Sequence, residues 1–168
     1  PLIALARTLA SVGAHADAAD VWTTALGVAP GDASILAGYG RALLALNQPQ
    51  LALTQLEKAR VAGPNSDVEN ALGITYDMLG DAPAAQSAYR RGLEIAPADL
   101  SLSNNLALSL ALSGEAEEAI RLLEGALAQP GANAQHRQNL ALVYGLAGFD
   151  DLAAELGRAD LDERAVAS

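Results

Sequence analysis

Apolar residues return along this chain at three- and four-residue spacing in successive short runs, the pattern of helices that bury one face. From Leu2 to about Val12 one such run is stopped by Gly13, and a second spans about His15 to Val28 before Pro30 and Gly31 break the chain. Asp32 then stands where its carboxylate can accept the N–H groups that a new first turn leaves unpaired. The second helix pair reaches about Ala62, turning near Asn47, with Pro49 at the tolerated first position of its second helix. After Pro64, Ser66 and Glu69 have capping-box spacing, and the third pair turns at Gly80, with Asp81 and Pro83 opening its second helix. Pro97 and Asp99 introduce a fourth pair, which turns at Gly114 into Glu115, Glu117 and Glu118, charges suited to a helix N-terminus. Beyond Pro130 and Gly131, Asn133 can cap a fifth pair. No strand is expected.

The pairs share one frame. Ala107, Leu110, Gly114, Ala119, Leu123 and Ala126 set out a small anchor, a large residue, a turn glycine, an inward alanine, a bulky residue and a second alanine. Gly40, Leu43, Asn47, Ala52, Leu56 and Ala59 repeat it, as do Gly73, Tyr76, Gly80, Ala85, Tyr89 and Gly92, and before them Ala6, Leu9, Gly13, Ala18, Trp22 and Ala25. Pro30, Pro64 and Pro97 close successive units at intervals of 34 and 33 residues. A period of this length marks a stacked repeat in which each unit buries its faces only against its neighbours. The fifth unit is imperfect: Leu140, Ala141, Tyr144, Gly148 and Ala153 keep register, but Gly157 stands at the bulky position and Asp160 at the next alanine position. Its last helix is expected either to end early or to continue as a polar cap.

This frame resembles that of the tetratricopeptide repeat family over almost the whole chain. The resemblance implies an all-α fold, a right-handed superhelical solenoid of antiparallel helix hairpins. The expected organisation is one solenoid over residues 1–168, with repeats at about 1–31, 32–65, 66–98 and 99–131 and a degenerate fifth at 132–168.

A hydrophobic fraction of 51% with 4% aromatic residues means a core built largely of alanine and leucine, which favour helix and allow close helix approach. The net charge of −10 is uneven: residues 1–60 carry four acids and four bases, residues 61–168 sixteen acids and six bases. That field opposes nucleic acid and anionic lipid, whose recognition needs clustered Lys and Arg, so a neutral or basic protein partner is expected. There is no cysteine, hence no disulfide or thiolate metal site. No apolar run approaches the roughly 18–20 residues that span a bilayer. The chain starts at Pro1 inside a helical pattern without a signal peptide, and is expected to be a piece of a longer protein.

Catalytic patterns are missing. His15 and His136 have no second ligand at metal-binding spacing, and neither a nucleophile elbow nor a phosphate-cradling glycine loop is present. No catalytic residue, metal or cofactor is therefore expected, and the chain is read as a non-enzyme. Asp150 and Asp151 fit a helix first turn better than a general acid–base pair.

The family resemblance places one stripe of each first helix on an inner, concave surface. Arg7, then Arg41 and Leu44, then Asp67, Asn70, Ile74 and Asp77 lie on it, followed by Ser101, Asn104, Asn105, Leu108 and Leu112, and by Gln135, Gln138, Asn139, Leu142 and Leu146. Asn70, Asn104, Asn105, Gln138 and Asn139 make a row of carboxamides, groups that both donate and accept and can therefore pair with any peptide backbone. In peptide-binding members of the family an asparagine does this, a role the resemblance carries best onto Asn105 and Asn139. Two fates are open to these amides: contact with a partner, or bonds to adjacent helices and water. Ile74, Leu108 and Leu142 recur at one position and form an apolar strip, which either receives a hydrophobic segment or packs under a neighbouring helix or C-terminal segment. Arg7 and Arg41 share that position in the first two units and can meet an acidic group of a partner or pair locally. The family's clamp for a terminal carboxylate is not expected, because Ile3 and Ala37 stand where it needs basic residues.

A narrower resemblance lies in NNLALSLALSGE at 104–115, RQNLALVYGLAG at 137–148 and ADLDERAV at 159–166. These stretches resemble TadD, the tetratricopeptide component of the bacterial tight-adherence, or Flp, pilus assembly system. That implies a lipid-anchored protein on the periplasmic face of the outer membrane, a scaffold for secretin or other pilus parts, with membrane contact only through an anchor this sequence lacks. Cytoplasmic scaffolds or secretion chaperones, and the regulatory domain of a larger enzyme, are the alternatives. Self-association is a further one, since Leu152 and Leu156 have no evident cover.

Overall fold

The computed structural model describes residues 1–166. Side chains are described through Arg158, so those of 159–166, with Asp160 and the last stretch of the narrower resemblance, lie outside the described residues, as do Ala167 and Ser168. The described residues form α-helices without a strand, in two compact units, residues 1–95 and residues 96–166. The first contains α1 (Leu2–Ser11), α2 (His15–Val28), α3 (Ala33–Ala45), α4 (Pro49–Val61), α5 (Ser66–Leu79) and α6 (Ala82–Ile95). The second contains α7 (Leu100–Leu112), α8 (Ala116–Leu127), α9 (Ala134–Leu146) and α10 (Asp150–Val166).

The turn chemistry recurs at one position of the frame. Gly13, Asn47, Gly80, Gly114 and Gly148 all take the left-handed backbone region, where glycine is unstrained and asparagine is the usual substitute. In each case the next N–H reaches back to the carbonyl five residues earlier, as in Ala14 to Leu9, Gln48 to Leu43 and Glu115 to Leu110, all at 2.9 Å. This is the closing bond of a Schellman motif. Turns this short make the two helices of a pair antiparallel neighbours.

The helix starts agree with the expected caps, with one correction. Asp32 Oδ1 accepts from the Ser34 and Ile35 N–H groups at 2.8 and 3.1 Å, and Asp99 repeats this on Ser101 and Leu102. Asp81 accepts from Ala84. Ser66 and Glu69, however, are not a capping box. Asn65 is the cap, its Oδ1 accepting from Val68 N–H at 3.1 Å, which puts Glu69 one residue too deep in the helix to reach back. Glu69 is instead buried and paired with Arg91, its Oε2 accepting from Nε at 3.0 Å and lying 2.9 Å from Nη2.

In the first unit the bulky residue of each second helix rests where a neighbouring first helix has no side chain. A Cβ at Gly38 would stand 2.4 Å from the Trp22 ring, one at Gly40 2.6 Å from Leu56 and one at Gly73 2.2 Å from the Tyr89 ring. Trp22, Leu56 and Tyr89 are thereby buried, with Ala18, Ala52 and Ala85 beside them. In the second unit Leu123 and Ala107 hold the corresponding frame positions and are buried, as are Leu102, Leu106, Leu110 and Val143. The first helices touch in succession, α1 on α3 and α3 on α5 in the first unit, α7 on α9 in the second. Their stripe positions therefore form a ladder within each unit.

The last hairpin behaves as its sequence suggests. α10 continues to Val166, the second of the two expected outcomes. Yet none of residues 150–158 is buried: α10 packs against α9 alone among the described helices, and Gly157 supplies nothing at the bulky position.

Candidate partner-binding surfaces

In the first unit the ladder carries Arg7 on α1, Arg41 on α3 and Ile74 on α5, each exposed. Arg7 and Arg41 line one pocket of about 240 Å³ together with Ser34, Ala37, Asn65 and Asp67. Arg41 and Asp67 continue into a second, of about 450 Å³, completed by Leu44, Asn70, Ala71 and Ile74. Four of the expected site residues, Arg7, Arg41, Asn70 and Ile74, thus share one continuous surface. Neither arginine forms an ion pair or side-chain hydrogen bond among the described residues. Asp77, one helical turn beyond Ile74, is already engaged: its Oδ2 accepts from the Tyr89 hydroxyl at 2.9 Å. Burial, and then the Asp77 carboxylate, push the Tyr89 phenol far above its ordinary pKa.

In the second unit the amides divide. Asn139 is 9% exposed, and its Nδ2 donates to Asn104 Oδ1 on α7 while its own Oδ1 accepts from Gln135 Nε2 at 3.1 Å. For Asn104 and Asn139 the structure therefore shows the internal fate of the two that were open. These groups tie α9 to α7, and Asn139 has little surface left for a partner. Asn105 is half-buried and Gln138 exposed. The apolar strip is better displayed: Leu108 is half-buried, whereas Leu142, Leu146 and Leu112 are 54, 55 and 81% exposed. None of these three leucines packs under another helix among the described residues.

Three pairings escaped the sequence reading. Glu69–Arg91 is the first. Tyr76 donates to Glu57 Oε1 at 2.7 Å, and Tyr144 donates to Glu124 Oε1 at 2.7 Å. Both tyrosines occupy the frame position of Leu110, and both glutamates follow the bulky residue of the preceding second helix, Leu56 or Leu123. Burial and then the Glu124 hydrogen bond push the Tyr144 phenol up to about 12; Tyr76 is shifted upward for the same reasons, with Glu57 as the partner. The recurrence of Tyr and Glu at matched positions in alternate units was the available signal. His136 serves the α9 cap, its Nδ1 accepting from the Asn133 N–H at 3.2 Å. Among the described residues no group of three or more His, Asp or Glu gathers as a metal site, and no helix is long and apolar enough to cross a membrane.

Comparison with known proteins agrees with this architecture. Over 90 residues, 53% of this chain, the sequence is 37% identical to y4yS, an uncharacterized protein of Sinorhizobium fredii, and spans 50% of that relative's length. Among solved structures, PilW, described as a widely conserved type IV pilus biogenesis factor, superposes with a TM-score of 0.88 at 21% identity, covering 99% of this chain and 78% of PilW. A tetratricopeptide repeat protein of Thermus thermophilus superposes with a TM-score of 0.81 at 24% identity, covering 96% of this chain and 89% of the other. At these identities the likeness is one of fold. The tetratricopeptide repeat profile itself matches residues 3–67 and 70–135, and with most of its length so matched the chain belongs to the tetratricopeptide repeat family.

Proposed function

We propose that this chain is a non-catalytic scaffold that binds a segment of another protein along the stripe of its first helices. One observation carries the reading. Within each unit that stripe displays aliphatic side chains to solvent, Ile74 in the first and Leu142 with Leu146 in the second, on helices whose opposite faces are packed. Rigid hairpins hold such a surface preformed, so that the ordering cost of association falls mainly on the partner segment.

The partner is a component of a bacterial pilus assembly system of the Flp, or tight-adherence, type, such as its secretin, and the site of action is the periplasmic face of the outer membrane. Support comes from the phrase-like resemblance at residues 104–115 and 137–148 and from the likeness in fold to PilW, itself a pilus biogenesis factor.

The test is retention of partners from detergent-solubilised envelope of a bacterium carrying this gene. The chain is compared with an Ile74→Ser, Leu142→Ser double variant of unchanged helicity; both side chains are exposed, so folding is little affected. Retention of secretin or other pilus proteins is expected to fall at least about tenfold, since each 1.4 kcal/mol lost corresponds to a factor of ten. Equal retention by both would move binding off this stripe. A partner found only in cytosolic extract would replace the envelope role with that of a cytoplasmic scaffold or secretion chaperone.

A further inference from the structure

The first unit's ladder is ordered: a cation at Arg7, a cation at Arg41, an aliphatic group at Ile74, each at one frame position of consecutive first helices. Both guanidinium groups are exposed and without an internal ion pair among the described residues. Arg60 pairs with Glu57 and Arg91 with Glu69, whereas Arg7 and Arg41 stay unneutralised and line one pocket together.

Spacing adds information that charge does not. Packed helices lie roughly 8–10 Å apart, and three residues of extended chain cover about 10 Å. Side chains of a strand alternate between faces, but a polyproline II segment has three residues per turn and advances about 9 Å in that turn, so one crossing the first helices turns every third side chain toward a new rung. We propose that the Arg7–Arg41–Ile74 ladder reads a polyproline II segment of a partner protein that carries two carboxylates three residues apart and an aliphatic side chain three residues further on. Arginine suits the first two rungs because its planar fork binds a carboxylate through two parallel hydrogen bonds. Leu44, Ala71 and Ile74 provide the apolar wall for the third. Asp67 lines both pockets and sets the polarity of the site, since a partner acid placed anywhere but over the arginines meets its charge. This inference rests on the stripe reading proposed above and supplies the chemistry of what occupies it.

Fluorescence anisotropy on the full chain tests it, using labelled twelve-residue Gly/Ser peptides with Glu, Glu and Leu at i, i+3 and i+6, in both chain directions. Controls carry the same three residues at i, i+2 and i+4, or Gln for Glu. Binding is expected for the three-residue spacing in one direction, weakening with added salt as screened charges must. Arg7→Gln and Arg41→Gln should each weaken it about tenfold or more, the lower end of the range for charge-assisted hydrogen bonds; Asp67→Asn should strengthen it. The decisive exchange is Arg41→Glu, expected to lose the Glu peptide and gain one with Lys at i+3. No binding by any of these peptides, indifference to both arginine variants, or equal binding of the Gln peptide would overturn the ladder. So would equally strong, arginine-dependent binding of heparin or anionic lipid vesicles, which would mark a general polyanion surface. If the ladder fails while Ile74→Ser, Leu142→Ser still loses the natural partner, the stripe stands and only its code is wrong; if that variant also keeps the partner, both readings fall.

Discussion

At Gly73 the absence of a side chain decides how the third hairpin packs. A methyl group there would stand 2.2 Å from the Tyr89 ring, and the ring has no easy retreat, because its hydroxyl is held by Asp77 at 2.9 Å. Two opposing effects meet in Gly73→Ala. Helix propensity favours alanine by about 1 kcal/mol, whereas overpacking a filled core costs about 1–3 kcal/mol; with the ring held at both ends the second should win. Urea denaturation is expected to show a net loss of about 1–2 kcal/mol. In a Tyr89→Leu background the same change should instead stabilise, since the fourth hairpin already combines an alanine, Ala107, with a leucine, Leu123, at these positions, both buried. Destabilisation of equal size in both backgrounds would show that the ring is not what excludes the methyl group.

Helix by helix, what could be read from the sequence depended on how local the cause was. Asp32, Asp99 and the left-handed turn residues act within a few positions of themselves, and their effects were legible. Asn65 displaced Ser66 as a cap because two adjacent residues compete for one role, and only the backbone path settles which of them precedes the first turn. Glu69–Arg91 spans 22 residues and Asn104–Asn139 spans 35, so each needs the stacking of successive helices before it can exist. The defect of the last hairpin was legible, and it makes a prediction about α10. A Cβ at Gly157 would meet nothing within 4 Å, yet this is the position where Trp22, Leu56, Tyr89 and Leu123 anchor their own hairpins. Gly157→Ala should stabilise by about 1 kcal/mol through helix propensity alone. Gly157→Leu should add to that, because it also covers the half-exposed Ala141 on α9. Thermal melts of the two variants separate the contributions; a leucine no better than alanine would mean that this side of α10 does not face α9.

Across the molecule, stability should follow burial, because in a repeat array each helix is held only by its neighbours and opens on its own terms. α3 and α5 carry the richest sets of buried residues in the first unit, seven and six respectively, and α7 has seven in the second. α9 has three, and residues 150–158 of α10 have none. The site inherits this gradient. Arg41 and Ile74 stand on α3 and α5, whereas Arg7 stands on α1, in which Ala6 alone is buried, and Leu142 and Leu146 stand on a helix whose own hairpin partner is weakly held. Their exposure was legible from the frame; the internal pairing of the amides among them was not, because a carboxamide suits a helix contact as well as a peptide. Native-state hydrogen exchange is expected to find residues 150–158 least protected, at least about a hundredfold below α3 and α5, the range that separates local from global opening. Protection in α9 should be intermediate and should rise in Gly157→Leu together with that of α10, leaving α3 and α5 unchanged. Uniform protection across these helices would instead mean that the chain opens as one cooperative body, and the burial gradient would then have no bearing on which part of the stripe is rigid enough to bind.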